Sequence, residues 1–138
     1  MTDLQRAKQI LNDGGYTCVL VKQTDSFHSL ERGVKPLVGL VQSGKSYKGY
    51  CAADKVVGKA TAFLYTLLNV KAVHANVISQ AALEVLKPSG IEVYFDTLTD
   101  HIINRKGDGI CPFEQAVLFE TDAQKAYIII LNNQGKSA

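Results

Sequence analysis

The chain has 138 residues, of which 46% are hydrophobic and 20% are charged, and its 15 basic and 13 acidic side chains leave a net charge of +2. These values predict one globular domain, residues 1–138, with an ordinary hydrophobic core. The charge balance does not favour nucleic-acid binding, and no apolar run approaches the roughly 18 residues of a membrane-spanning helix. We therefore expect neither nucleic acid nor a membrane as a partner.

The three cysteines, Cys18, Cys51 and Cys111, are widely spaced and odd in number, which argues against a disulfide framework. There is no CxxC pair and the histidines stand apart, so the sequence predicts no metal site and no cofactor. The N-terminal segment is charged and amphipathic, without the apolar centre of a signal peptide. We expect a cytoplasmic protein. Its oligomeric state stays open, with a homo-oligomer as one alternative.

The first predicted elements are a helix, a hairpin and a second helix. Apolar residues at helical spacing predict a helix that ends at Gly14–Gly15. The β-rich run 17–22 predicts a strand, and 27–31 predicts a strand that returns beside it. Pro36 predicts the start of a short helix that Gly44 ends.

The rest of the chain alternates strands with helices, which predicts a mostly parallel sheet covered on both faces. Sites in such sheets lie beyond the carboxyl ends of the strands. The final segment AYIIIL has strand propensity, but TDAQK before it is typical of a helix start, and we predict a helix. The predicted strands are 47–53, 72–78 and 91–96, and the predicted helices begin at Asp54, after Ser79 and at Pro112.

The segment GLVQSGKS, residues 39–46, matches the P-loop pattern G-x-x-x-x-G-K-[ST]. A P-loop lies between a strand and a helix, so that the helix amides meet the phosphates. Here the residues from Pro36 predict a helix and those after the motif predict a strand, which is the reverse order. We therefore expect a helix end at Gly44 and a solvated Lys45, and a nucleotide hydrolase using Lys45 and Ser46 is an alternative only.

Asp54 and Lys55 fall at a predicted strand-to-helix junction. Asp54 alone would be an ordinary N-cap, worth roughly 1 kcal/mol. Lys55 in the first helical turn would oppose the helix dipole, which is easier to understand if an anion binds near it and Lys59. Exposed lysines also tolerate such positions, so both interpretations stay open. Gly58 inside this predicted helix would indicate close packing or ligand approach.

Cys111 precedes Pro112 and lies three residues before Glu114, which predicts a helix N-terminus with Glu114 closing a capping box. A thiol there would feel the positive helix end, and Arg105 or Lys106 could add to it, favouring the thiolate. The alternative is a small, well-packed cysteine. Asn104 and Arg105 belong to the polar loop that leads into this helix, and loops often carry function.

Four segments of the chain, GVKPLVGLV, AADKVVGKATAFL, VISQAALEVL and INRKGDGICPFE, together resemble one uncharacterised prokaryotic family, a domain of unknown function with a cytidine-deaminase-like fold. The resemblance covers roughly residues 15–120. It implies a three-layer α/β/α sandwich with a five-stranded mixed sheet, its first strand antiparallel to the rest. The residues that carry it are Asp54, Lys55, Gly58, Lys59, Ala60, Ser79, Asn104, Arg105, Cys111, Pro112 and Glu114.

The chain departs from true deaminases at their zinc ligands. Those enzymes need His or Cys followed by Glu on one helix and Pro-Cys-x-x-Cys at the start of the next. Here the corresponding segments read KPLVGLVQS and AADKVVGK, and neither contains a zinc ligand at those places. The sequence therefore predicts a metal-free pocket at the same helix ends.

The leading hypothesis is a metal-free, enzyme-like pocket for a small anionic metabolite, with nucleotide-related ligands included. Asp54, Lys55 and Cys111 are the predicted catalytic residues: Asp54 as acid/base or as the group that orients Lys55, and Cys111 as nucleophile or contact. A non-catalytic ligand-sensing or regulatory module is the main alternative, so whether the chain is an enzyme stays open. The predicted ligand-binding residues are Lys59, Ser79, Asn104, Arg105 and Glu114.

Overall fold

The structure is a computed structural model that describes residues 1–103, 106–107 and 109–134. Its strands are β1 (Cys18–Lys22), β2 (Asp25–Ser29), β3 (Cys51–Val57), β4 (Ala72–Ser79) and β5 (Glu92–Thr99). Its α-helices are α1 (Asp3–Gly14), α2 (Lys35–Ser43), α3 (Lys59–Leu68), α4 (Gln80–Leu86), α5 (Pro112–Ala116) and α6 (Ala123–Asn132), and a short 3-10 turn, Lys87–Ser89, follows α4.

The five strands form one mixed sheet in the order β2-β1-β3-β4-β5. Strand β1 runs antiparallel to β2 and to β3, while β3, β4 and β5 are parallel. Strand β3 therefore lies in the middle, with Asp54 opposite Cys18 of β1 on one side and Ala75 of β4 on the other. The predicted α/β class and mixed five-stranded sheet are confirmed.

Helices cover both faces of the sheet, and strand β1 has apolar side chains on both faces for these helices to cover. Val19 and Val21 pack with Ala7 of α1, whereas Cys18 and Leu20 belong to the larger core on the opposite face. That larger core also contains apolar residues of α2, α3 and α4, and α5 and α6 pack against α3. A strand buried on both faces reads as a continuous apolar run, as CVLV does here.

The predicted helix start at Asp54 is wrong. Strand β3 continues to Val57, and α3 begins at Lys59 with Gly58 as its N-cap. Lys55 is therefore a strand residue outside the first helical turn, and Gly58 lies at the helix end rather than inside the helix. The dipole argument made for Lys55 from the sequence does not apply.

The physical reason is pairing on both sides of β3. The backbone N–H of Lys55 donates to the carbonyl of Thr17, and Val56 and Val57 are in register with β4. Tertiary pairing of a central strand thus overrides the local cap signal of Asp54, and the β-branched valines fit the extended backbone.

Other boundaries differ less. The predicted strand 47–53 begins only at Cys51, but α2 ends at Gly44 in the left-handed conformation, with φ of 75°, as predicted. Residues 39–43 of the P-loop-like motif lie within that helix and precede a strand, so the reversed order of elements is confirmed. Asp122 caps α6, which confirms that AYIIIL is helical.

Candidate functional site

A cleft of about 370 Å³ opens at the carboxyl end of β3. Its walls come from the start of β1, the N-terminal ends of α2 and α3, and the segment around Ile102 and α5. Asp54, Lys55, Cys111 and Glu114, which the sequence analysis selected, all line it. This volume lies within the usual range of small-molecule sites.

Asp54 supplies one buried carboxyl group of the cleft. Its side chain is 8% exposed, its Oδ2 accepts a hydrogen bond from the Tyr65 hydroxyl at 2.7 Å, and its Oδ1 accepts from the Val56 backbone N–H at 3.2 Å. Desolvation raises the pKa of Asp54 from 3.8 to about 7, and the hydrogen bonds oppose only part of that rise. Asp54 can therefore both give and take a proton near neutral pH.

Two neighbours of Asp54 stay protonated at neutral pH. Burial first, and the nearby Asp54 carboxyl second, raise the pKa of the Cys18 thiol and of the Tyr65 hydroxyl well above their ordinary values. The two side chains contact each other, with Sγ and Oη 3.3 Å apart. Cys18 is therefore unsuited to act as a nucleophile, and Tyr65 serves as a hydrogen-bond donor to Asp54.

Glu114 lies against the N-terminus of α3. It is 2% exposed, and its Oε2 accepts a hydrogen bond from the backbone N–H of Lys59. A Cβ at Gly58 would lie 2.7 Å from that oxygen, so this approach requires glycine. The predicted capping box is wrong: Glu114 caps α3 across the cleft, and Cys111, the N-cap residue of its own helix α5, makes no side-chain cap bond.

The other oxygen of Glu114 is poorly accommodated. Oε1 is buried and has no hydrogen-bond partner among the residues that the structure describes. An unsatisfied buried acceptor costs on the order of 1–3 kcal/mol. In this contact with α3, Oε1 of Glu114 thus loses its hydration and gains no hydrogen bond among the described residues.

Charged side chains stand at the exposed rim of the cleft. Arg32, at the approach to α2, and Lys55 both line it, together with one acidic residue, Glu31. Within the described ranges neither cation has an ion-pair partner. The cleft therefore combines a net cationic rim with buried carboxyl groups deeper inside.

Two of the predicted ligand-binding residues, Lys59 and Ser79, do not line this cleft. The ammonium of Lys59 donates to the Leu118 carbonyl at 2.7 Å on the other side of α3. Ser79 is fully buried and caps α4 by accepting from the Ala82 N–H at 3.2 Å. Asn104 and Arg105 lie outside the described residues.

Cys111 is partly exposed, lines the cleft, and donates its backbone N–H to the Ile102 carbonyl at 2.8 Å. Helix α5 behind it has only five residues. Such a helix supplies only part of the dipole of a longer one, so the thiolate expected at this position stays a prediction.

The P-loop-like motif takes no part in this cleft. The Lys45 ammonium lies 3.2 Å from the Asp25 carboxylate and 5.1 Å from the centre of the Tyr47 ring. That pair is half exposed. The lysine is therefore paired with a carboxylate at the surface, away from the cleft.

The sequence analysis missed Tyr65 and Arg32. Tyr65 lies in α3 and is fully buried, and a buried tyrosine needs a partner for its hydroxyl, but that burial becomes visible only in the fold. Arg32 precedes α2 in a stretch with no local pattern. Only the fold brings it to the cleft that Lys55 also lines.

The family model described as a domain of unknown function, DUF1893, matches residues 6–133. The chain belongs to the DUF1893 family. A crystal structure of a DUF1893 protein, TM1506 of Thermotoga maritima, is similar to it with a TM-score of 0.87 and 29% sequence identity, over 96% of this chain and 90% of that one. No curated protein matches this DUF1893 chain.

The described part of this DUF1893 domain contains no group of three or more His, Cys, Asp or Glu side chains placed to hold a metal ion. In the same residues, no helix has the length and apolar character needed to cross a membrane.

Proposed function

We propose that this DUF1893 domain binds a small anionic metabolite in the cleft beside Asp54, and that Asp54 acts there as a general acid/base. Nucleotides are one class of such metabolites. The observation that carries the proposal is a carboxyl group with a pKa of about 7 on the wall of a small-molecule-sized cleft. Groups with pKa values displaced by desolvation towards the working pH are typical of catalytic sites.

The rim supports an anionic ligand. Lys55 and Arg32 have their charges free among the described residues, and unpaired cations at a cleft attract and orient anions. Cys111 lies on the same cleft, where it would contact the ligand or act as nucleophile. Because Asp54 is the group tuned to neutral pH, acid/base chemistry is the primary role and thiol chemistry is secondary.

The finer fold assignment belongs to this proposal as well. A cytidine-deaminase-like arrangement would place the ligand between the N-terminal ends of α2 and α3, where the cleft lies. The residues at those ends, Val34, Pro36 and Gly58, offer no zinc ligand. We therefore propose chemistry driven by Asp54 at a site that does not bind zinc.

The test is binding of nucleoside monophosphates, sugar phosphates and inorganic phosphate, measured by calorimetry. We expect Lys55→Ala to weaken the ligands that bind by roughly tenfold, since one charge contact is lost. Lys45→Ala is the matched control, because it removes an exposed lysine outside the cleft and should leave binding unchanged. The opposite result, loss of nucleotide binding in Lys45→Ala only, would contradict the proposal and restore the P-loop hypothesis.

Turnover separates the enzyme from the sensor. If a bound ligand is converted by the wild type, Asp54→Asn should retain binding and lose conversion, because the amide keeps the shape but cannot transfer the proton. Binding without conversion by either protein would favour the ligand-sensing module.

A further inference from the structure

We infer that the N-terminus of α3 is a binding subsite for a phosphoryl group, and that Glu114 is a built-in occupant which the ligand displaces. The inference rests on the proposed function, because it names the part of the cleft that holds the anionic group. It assigns a role to the contact between Glu114 and α3.

The first observation is a set of free donors. Helix α3 has ten residues and no side-chain cap of its own, and its first turn lines the cleft through Gly58, Ala60 and Thr61. In the described residues the amides of Ala60 and Thr61 have no acceptor, and only the Lys59 amide has one. Unpaired amides at the positive end of a helix are the usual elements of a phosphate site.

The second observation is the Thr61 side chain. Thr61 is only 7% exposed and lines the cleft. Its hydroxyl makes no hydrogen bond to any described residue, so it can donate to a ligand in the cleft next to the free amides. A phosphoryl oxygen at this place would complete the hydrogen bonding of Thr61 and of the amides together.

The third observation is the poor fit of the present occupant. Glu114 satisfies one amide with Oε2, while its Oε1 stays buried without a partner in the described chain. A carboxylate with one orphaned oxygen is held less well than a phosphoryl group that could meet several donors. Gly58 leaves room here for a carboxyl oxygen or for a phosphoryl oxygen, since a Cβ at this position would lie 2.7 Å from Oε2 of Glu114.

The occupant also sits on a short element. Glu114 belongs to α5, which has only five residues. Outward movement of α5 would vacate the α3 end and widen the cleft. The anionic groups that oppose the incoming phosphoryl group are then Glu114 itself, Glu31 at the rim and Asp54, whose pKa near 7 leaves it partly neutral.

The experiment titrates inorganic phosphate and AMP into variants and follows binding by calorimetry and phosphorus NMR. Glu114→Gln removes the competing charge, and we expect it to bind both probes about fivefold more tightly than the wild type. Thr61→Val removes one donor at nearly constant shape, and we expect weaker binding by a similar factor. Glu84→Gln, an exposed change on α4, is the control and should not alter affinity.

Equal or weaker binding by Glu114→Gln, or unchanged binding by Thr61→Val, overturns the subsite. If Lys55→Ala nevertheless loses the ligand, the proposed cleft function stands without this subsite. If binding depends on Glu114 and Thr61 but not on Lys55, the subsite stands and the proposed role of the rim fails. Absence of phosphate and AMP binding in every variant refutes both.

Discussion

At the residue scale, Asp54 shows how a fold changes the chemistry of a side chain. Next to an ordinary helix start it would be a solvated cap. In the middle of β3 it lies under α3, where the Tyr65 hydroxyl, the Cys18 thiol and backbone amides replace part of its lost water. These hydrogen bonds do not compensate full desolvation of a carboxylate, so the neutral acid is favoured and the pKa rises to about 7.

This pKa predicts how stability depends on pH. Between its ordinary pKa of 3.8 and about 7, Asp54 is protonated in the folded chain and ionised in the unfolded chain. The folded state binds the extra proton, so the free energy of unfolding falls as pH rises through this window, by up to about 4 kcal/mol. We expect Asp54→Asn to flatten the profile measured by urea unfolding between these pH values.

Asp25→Asn is the control for that measurement. Hydrogen bonds from Tyr50 and then Lys45 lower the pKa of the exposed Asp25, so its contribution to stability is lost as pH falls, which is the opposite sign. Equal pH slopes for the wild type and Asp54→Asn would show that the Asp54 carboxyl group is hydrated and ionised in the folded protein.

At the scale of elements, the contact between α3 and α5 depends on a glycine, Gly58, at the N-terminal end of α3. Helix α3 has no side-chain cap of its own, so its first amide relies on Glu114 from a distant segment. Gly58 permits this because it has no Cβ, although its φ of −94° is open to any residue. The glycine is thus needed for space and not for backbone conformation.

We expect Gly58→Ala to destabilise the protein by about 1–3 kcal/mol, because the new methyl group displaces the Glu114 carboxyl and presses on Ile102. Urea unfolding measures the change. In a Glu114→Ala background the same substitution should cost much less. Gly39→Ala is the matched control: it lies within α2 with open space around its Cβ position, and it should stabilise by about 0.5–1 kcal/mol. Equal costs for Gly58→Ala in both backgrounds would contradict a role for Glu114.

At the scale of the whole molecule, the order of elements follows from the sequence because periodicity and breakers are local signals. The apolar run of β1, the left-handed Gly44 after α2 and the Ser79 cap of α4 all act within a few residues. The end of β3 is not set by such a local signal, since it depends on pairing with β1 and β4. Residues brought together across the sheet carry no mutual pattern in the chain.

The same limit applies to the site. In the sequence, Lys55 and Cys111 stand out because each is an unusual choice for its predicted position, and Asp54 and Glu114 stand out as predicted helix caps next to them. Their roles change once neighbours are known: Glu114 serves α3 instead of its own helix. Residues from distant segments that line one cleft can thus be selected from the sequence, but their hydrogen bonds can be assigned only from the fold.

The last prediction uses the three cysteines to report on the molecule as a whole. Cys18 lies in β1 between two neighbouring strands and is 2% exposed, Cys51 begins β3 and is 5% exposed, and Cys111 is partly exposed on the cleft. Burial raises the pKa of the Cys18 and Cys51 thiols, which slows their alkylation further. Iodoacetamide should therefore modify Cys111 first, Cys51 next and Cys18 last, as resolved by peptide mass spectrometry.

Because β1 is exposed only when the sheet opens, the alkylation rate of Cys18 should rise with urea in parallel with global unfolding, while the alkylation rate of Cys111 changes little below the transition. Alkylation of Cys18 as fast as Cys111 in native buffer would mean that β1 is not part of the stable core.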